Sequence, residues 1–339
     1  MNRLFASLLA VAFAMTALVA SSTQPASLFR PTQAHAAAPV TFPEKGRPVT
    51  LIVPFGAGGG TDLAARVLAP LVERELGVPI QVVDRPGAGT QKGLTELAKS
   101  KPDGYTIGYA IIPSVLATYL DPERRAIYNR TDFTTIATQF DQGYVMGVHK
   151  DSPYKTLSDL VADVKARPNA IKFGTTGLMA SGHLVTLQFQ KLVGTPLLLV
   201  HFDGSGPQMT ALAGQHVDVI MTGQAEFLPF FKAGTFRALA LLDKQENPDF
   251  PGVKTAIEQG YRLWHLVTGT ICAPKGLPQD VLDVWSNAVR KVINSDEHKQ
   301  RMRTIGFPTT YRSPQEAANN WAEVEAEMRP IIEEALRSK

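Results

Sequence analysis

Between Leu51 and Asp62 the chain reads Leu-Ile-Val-Pro-Phe-Gly-Ala-Gly-Gly-Gly-Thr-Asp, an apolar run that passes through a loop nearly bare of side chains into an amphipathic segment. A strand, a glycine loop and a helix start in that order leave main-chain N–H groups without partners, and the aligned peptide dipoles add partial positive charge there. Anions bind at such places. The arrangement recurs where Ile80 to Val83 leads into Asp84-Arg85-Pro86-Gly87-Ala88-Gly89-Thr90-Gln91-Lys92-Gly93. Two further polar loops precede helical segments: Gly174 to His183, which carries Thr175, Thr176 and Ser181, and Asp203 to Pro207, which carries Ser205. A hydroxyl in such a loop ordinarily does no more than cap its helix. The functional reading rests on the set, because polar Gly-rich loops at the carboxyl ends of strands gather where open α/β sheets bind ligands. A small carboxylate or phosphate is the ligand class this chemistry suits.

Other chemistries fit less well. Gly56-Ala57-Gly58-Gly59-Gly60-Thr61 approximates a dinucleotide fingerprint with Asp84 ending the next strand, but Thr61 replaces the third glycine and Asp62 would sit close to a pyrophosphate. Gly204-Ser205-Gly206 lacks the glycine two residues before the serine that a nucleophile elbow needs, since position 203 is Asp. The 7 histidines show no paired metal-ligand spacing. Asp62 in the first helical turn favours the dipole by itself. Lys92, Arg85 and His183 are near enough to the loops to meet an acidic ligand, and Asp203 would oppose one if it faced inward. Cys272, the sole cysteine, lies in the apolar run Val267 to Ala273 as a small hydrophobe and excludes an intrachain disulfide.

The elements that must hold these loops alternate along the chain. Val49 to Val53 reads as a strand, and Asp62 to Glu75 as a helix with Leu63, Val67, Leu68, Leu71 and Val72 at three- and four-residue spacing until Gly77 stops it. Strand Ile80 to Val83, helix Leu94 to Lys99 and strand Tyr105 to Ile111 follow, and such alternation predicts crossovers over a parallel sheet. Phe133 to His149 carries two strand-like pieces around Asp141-Gln142-Gly143, and Tyr154 to Ala166 reads as helix. A second series then runs through strand Ile171 to Gly174, helix Ser181 to Leu192, strand Leu197 to Phe202, helix Pro207 to Ala213 and strand Val217 to Met221. Strands Arg237 to Leu242 and Leu266 to Ala273 come next, and the C-terminal part is helical over Gln279 to Asn294, Glu297 to Thr304 and Pro314 to Leu336. Two α/β series without a flexible linker imply two lobes facing each other across a cleft.

The first 36 residues read as an export signal: Arg3, the uncharged stretch Leu4 to Ala20, and Ala34-His35-Ala36 as a cleavage site. Removing them takes Arg3 and Arg30 from the 34 basic residues and leaves 32 against 31 acidic ones, a formal net charge of +1. That balance argues against nucleic acid or a membrane surface as partner. Export also argues against a dinucleotide cofactor.

Several blocks, taken in order, resemble one family. They are Ile52-Val53-Pro54-Phe55 with Gly58-Gly59-Gly60-Thr61-Asp62; Arg85-Pro86-Gly87-Ala88-Gly89; Pro102-Asp103-Gly104-Tyr105-Thr106; Gly204-Ser205-Gly206-Pro207; Gly214-Gln215-His216-Val217-Asp218-Val219; and Ala273-Pro274-Lys275-Gly276-Leu277-Pro278. The chain is similar in these to the solute-binding receptors of tripartite tricarboxylate transporters, the Bug receptors. The resemblance implies a periplasmic, non-enzymatic α/β protein of the two-lobed periplasmic-binding-protein type (Venus flytrap, type II). Such a receptor closes on a small carboxylate for delivery to membrane permease subunits, as a monomer and without metal or cofactor. Lobe 1 would comprise residues 37–140 and 266–339, and lobe 2 residues 141–265. Carried onto this chain, the ligand residues are Phe55, Gly58, Thr61, Asp62, Gly89, Thr90 and Gln91 from the first lobe, with Thr175, Thr176, Ser181 and Ser205 from the second. The chain departs from the family pattern at Thr90-Gln91-Lys92-Gly93, at Phe202-Asp203 and at Val267, so a di- or tricarboxylate and an aromatic carboxylate both remain open. An exported NAD-like or hydrolytic enzyme on the same loops, or an orphan receptor serving signalling, are the competing readings.

Overall fold

The computed structural model describes residues 42–337, so the expected export signal lies outside the described residues. Strand β1 (Val49–Val53) is almost wholly apolar and lies between β2 (Ile80–Asp84) and β3 (Thr106–Ile112), parallel to both. Helix α1 (Gly60–Leu76) crosses from β1 to β2 and packs Ala64, Ala65, Leu68, Leu71 and Val72 into the core, while Leu63, expected inside, is exposed. It ends at Gly77, whose left-handed backbone (φ 70°) lets its N–H bond the Glu73 carbonyl. Helix α2 (Gln91–Lys99) returns to β3, and a short α3 (Leu116–Leu120) follows.

The next strand, β4 (Phe133–His149), is one continuous strand where the sequence predicts two pieces. Its first part pairs antiparallel with β9 (Leu266–Pro274) as far as Gly143, and from Tyr144 onward it pairs with β7 (Val219–Gly223) and β8 (Phe236–Leu242). Irregularities at Thr135/Ala137 and Thr138/Phe140, and a third at Met146/Gly147 against β8, bend it along the way. The polar triplet Asp141-Gln142-Gly143, which reads as a break, is therefore the point where one strand passes from one ladder to the other.

Helix α4 (Leu157–Ala166) starts in a capping box between Thr156 and Asp159. Strands β5 (Lys172–Thr175) and β6 (Leu198–His201) are parallel neighbours, with α5 (Ser181–Val193) between them in sequence, and α6 (Ser205–Ala213) leads from β6 to β7. Helix α7 (Gln224–Lys232), absent from the sequence reading, joins β7 to β8. The chain finishes with α8 (Gln279–Asn294), α9 (Asp296–Thr304) and α10 (Pro314–Arg337).

The strand order is β2-β1-β3-β9-β4-β7-β5-β6, with β8 also on β4. Each end of this sheet is parallel as expected, but β4, β8 and β9 run antiparallel between them. The mixed sheet follows from the connectivity: β4 carries the chain out of the first series and β9 brings it back. The result is the two-lobed α/β fold, with β4 as the strand that takes part in both ladders. Buried Trp285 on α8, whose Nε1–H donates to the Gly104 carbonyl at 3.0 Å, and Trp321 on α10, stacked on Phe133, fasten the C-terminal helices to the first ladder.

Candidate binding cavity at four helix N-termini

Helices α1, α5, α6 and α7 all begin at the wall of one cavity. None has a side-chain cap, because the residues before them are Gly59, Ala180, Gly204 and Gly223. At α5 the structure itself supplies acceptors: the Ser181 N–H donates to Ser114 Oγ at 3.0 Å and the Gly182 N–H to Thr176 Oγ1 at 3.2 Å. At α1 and α6 no side-chain hydrogen bond takes that place; the Glu226 carboxylate stands close to Gly60 at the start of α1, and the first-turn dipole of α6 acts on whatever fills the cavity. The wall here includes Gly59, Gly60 and Thr61 from one side and Ser205, Gly206 and Pro207 from the other.

The cavity has a volume of about 90 Å³, the scale of a small organic acid or a few waters. Phe55, Ile111, Phe140, Val267 and Phe307 give it apolar sides. Alternate residues of β4, Phe140, Gln142 and Tyr144, point to the same face and line its floor. Burial pushes the Tyr144 phenol up and keeps it a neutral hydrogen-bond donor beside Ser181 and Thr176. A larger groove of about 720 Å³ runs past Trp264 between α5 and α10, but no helix N-terminus reaches its lining.

Five of the residues expected from the sequence line the cavity: Phe55, Thr61, Thr176, Ser181 and Ser205. The remaining six are placed elsewhere. Gly58 opens on an adjoining groove, and its N–H is taken by Asp62 Oδ2 at 2.8 Å. Asp62 is buried and spends its other oxygen on Arg66, 2.7 Å away, so its carboxylate braces the glycine loop. Gly89, Thr90 and Gln91 belong to a turn held by Arg124, which donates to the Ala88 carbonyl at 2.8 Å and to the Leu178 carbonyl at 3.2 Å, while Gln91 Nε2 donates to the Arg124 carbonyl at 2.8 Å. Thr175 is buried and bonded to His201 Nδ1 at 2.7 Å. Lys92 is exposed, and His183 accepts the Met179 N–H through Nδ1 at 2.9 Å. Asp203 does line the cavity.

The cavity also holds residues that the sequence reading passed over. Ser114 follows β3 and is bonded to Ser181 Oγ at 2.7 Å. Gln142 and Thr222 are buried polar side chains on strands. Glu226 stands in the first turn of α7, where its Oε2 accepts a hydrogen bond from Gln142 Nε2 at 2.6 Å. Burial holds its carboxyl above the usual range, against the weaker pull of its own N–H and of Gln142. Hydroxyl spacing in the loops could have flagged Ser114, but nothing local marks Glu226. Among the described residues no group of acidic, histidine or cysteine side chains has the arrangement of a metal site, and no helix is long and apolar enough to cross a membrane.

Comparison with known proteins places this geometry. The family model described as the tripartite tricarboxylate transporter family receptor matches residues 64–336. Protein BugT of Bordetella pertussis is 31% identical over 278 residues, covering 76% of this chain and 80% of that one. Among solved structures, an R. palustris protein with adipate is 27% identical with a TM-score of 0.80, over 86% of this chain and 97% of that one. MatC from Rhodopseudomonas palustris with bound malate is 25% identical with a TM-score of 0.79, over 86% of this chain and all of that one (100%). With its fold, its ordered loop motifs and a match over most of its length, the chain belongs to the tripartite tricarboxylate transporter receptor family.

Proposed function

We propose that this protein is an extracytoplasmic receptor that captures a small carboxylate by closure of its two lobes and hands it to the permease subunits of a tripartite tricarboxylate transporter. The observation that carries the reading is that two helix N-termini without side-chain caps, α1 of the first α/β series and α6 of the second, line one small cavity. A carboxylate there meets dipoles and main-chain amides from both halves, so it is held fully only when they come together, and this difference in affinity drives closure. The adipate and malate bound by two structural relatives support the carboxylate class. In this reading residues 37–140 with 266–339 form one lobe and 141–265 the other, a division supported by the handover on β4 between Gly143 and Tyr144.

The ligand contacts would come from Phe55, Gly59, Gly60 and Thr61, from Ser114, Thr176 and Ser181, and from Ser205 and Gly206. No step of bond chemistry is needed, and release requires only that the lobes part. Export through the N-terminal signal and a monomeric state complete the proposal. Its test is a calorimetric titration of the purified protein with mono-, di- and tricarboxylates in the presence of a metal chelator. Saturable binding of at least one is expected, and a ligand at a hundred times its Kd should add about 2.7 kcal/mol of stability. Binding that requires a metal or a nucleotide would overturn the reading.

A further inference from the structure

The two halves touch in two places away from the ligand cavity, and the contacts differ in kind. One is made by α5. Val185, Phe189 and Val193 recur along it at four-residue spacing, and Phe189 packs on Phe173 of β5 with ring centroids 5.9 Å apart. Leu184, Gln188 and Lys191 lie on another face and meet the first half. Leu184 is fully buried in an apolar cluster with Leu116 of α3 and with Trp321, Met328 and Ile332 of α10. Met179, just before α5, belongs to the same cluster at 2% exposure. Its backbone is left-handed (φ 61°), a strain that persists only while the surrounding packing imposes it. Polar ties run beside this seam: Gln188 Nε2 donates to Met328 Sδ at 3.7 Å, and Lys191 pairs with Glu334.

The contact at the other rim is built from smaller groups. Glu226 lies over Gly60, and Gly306 faces α7 so closely that a Cβ on it would be 3.3 Å from Ala225 Cα. Leu228, Met209 and Phe227 of α7 and α6 sit in a cluster made of residues from the second half alone. Parting the halves at α5 would return Met179 and Leu184 to water, whereas parting them at this rim separates glycines, an alanine and a carboxylate. The chain connections favour the same side. Leu263 and Trp264, on the segment that returns from β8 to β9, line the groove between α5 and α10. The neighbouring His265 carbonyl accepts the Tyr144 N–H at 3.2 Å, which ties that segment to the handover point of β4.

We propose that the seam between α5 and α10 is the fixed axis of the molecule: it stays packed while the lobes part, and the cavity opens only at the rim where α1 and Gly306 meet α6 and α7. The inference rests on the closure reading and adds where the hinge lies and where the ligand enters. The entrance is the groove of about 530 Å³ along that rim, which shares Ser205, Gly206, Glu226 and Phe307 with the cavity.

The test is pulsed electron paramagnetic resonance on the mature chain carrying pairs of nitroxide labels. Cys272, the sole native cysteine, is fully buried, so labelling is confined to introduced positions. Leu192→Cys with Glu327→Cys spans the hinge groove, and Lys232→Cys with Arg303→Cys spans the rim; all four side chains are exposed. Without ligand, the distance distribution of the rim pair should be at least about twice as wide as that of the hinge pair. Malate, adipate and citrate serve as probes, and one that binds should narrow the rim distribution alone. Met179→Ala removes the buried knob and should widen the hinge pair; a hinge pair that it leaves unchanged contradicts the seam. A hinge pair as wide as the rim pair, or one that shifts while the rim pair stays fixed, overturns this inference and leaves the receptor reading standing. Two narrow distributions also overturn it, and if no carboxylate of the calorimetric panel binds either, the receptor reading falls with it.

Discussion

Gly60→Ala tests the contact in which an acidic side chain from α7 fills the space over the first turn of α1. Added to an exposed helix, the methyl group would stabilise by up to about 1 kcal/mol. Here a Cβ would lie 2.6 Å from Phe307 Cζ and 2.8 Å from Glu226 Cδ, well inside contact distance. Overpacking of this kind costs about 1–3 kcal/mol. The expected net effect is a loss of about 1–2 kcal/mol in urea denaturation. Glu226→Ala removes one of the two obstructions and leaves Phe307, so a double-mutant cycle should return about 1 kcal/mol of favourable coupling, with the rest of the strain unrelieved. The assay needs no ligand. If Gly60→Ala stabilised the protein, or if the two substitutions added with no coupling, Glu226 would not occupy that space.

Three further outcomes follow from the same structure. Burial holds His265 down to about 3 and His298 down to about 4 from an ordinary value of 6.5, so both stay neutral in the folded chain. The unfolded chain therefore binds more protons below pH 6.5. Stability should be intact above that pH and fall by about 3 kcal/mol per histidine by pH 4, seen as a drop in the urea midpoint that a flat pH profile would contradict. Ser114→Ala strips the acceptor from the buried Ser181 N–H and the partner from its hydroxyl, and should cost about 1–3 kcal/mol; an unchanged midpoint would show that water replaces the hydroxyl. Arg124→Ala cuts the tie between the Ala88 and Leu178 carbonyls, and amide exchange at Gly89 to Gln91 should quicken at least tenfold. Unaltered exchange there would mean that the turn holds itself.

How far the sequence discloses this arrangement depends on how local each interaction is. The loop Gly56 to Thr61 is legible because its chemistry is carried by the backbone, and a run of glycines states that directly. Asp62 is ambiguous from sequence, since a carboxylate in a first turn can serve a ligand or its own loop, and only the bonds to Gly58 and Arg66 show what it does. The loop after β2 looks like the first one in composition but is turned to different use by Arg124, a partner distant in sequence. Gln142 reads as part of a break because three polar residues interrupt an apolar strand. Their polarity reflects the cavity wall that β4 forms as it changes partners. Helix α7 is not legible in the sequence because Pro229 and a cluster of phenylalanines, packed on more than one side, hide any helical period. Glu226 was hidden with it.

The central claim is that a carboxylate is gripped by main-chain amides from both halves of the molecule. It is tested most directly by following the backbone amide resonances of Gly59, Gly60, Thr61, Ser205 and Gly206 while the protein is titrated with the carboxylate panel. The account predicts saturable shifts at both groups of amides with a single shared Kd. Saturable shifts confined to one group, or located instead in the groove beside Trp264, would contradict it.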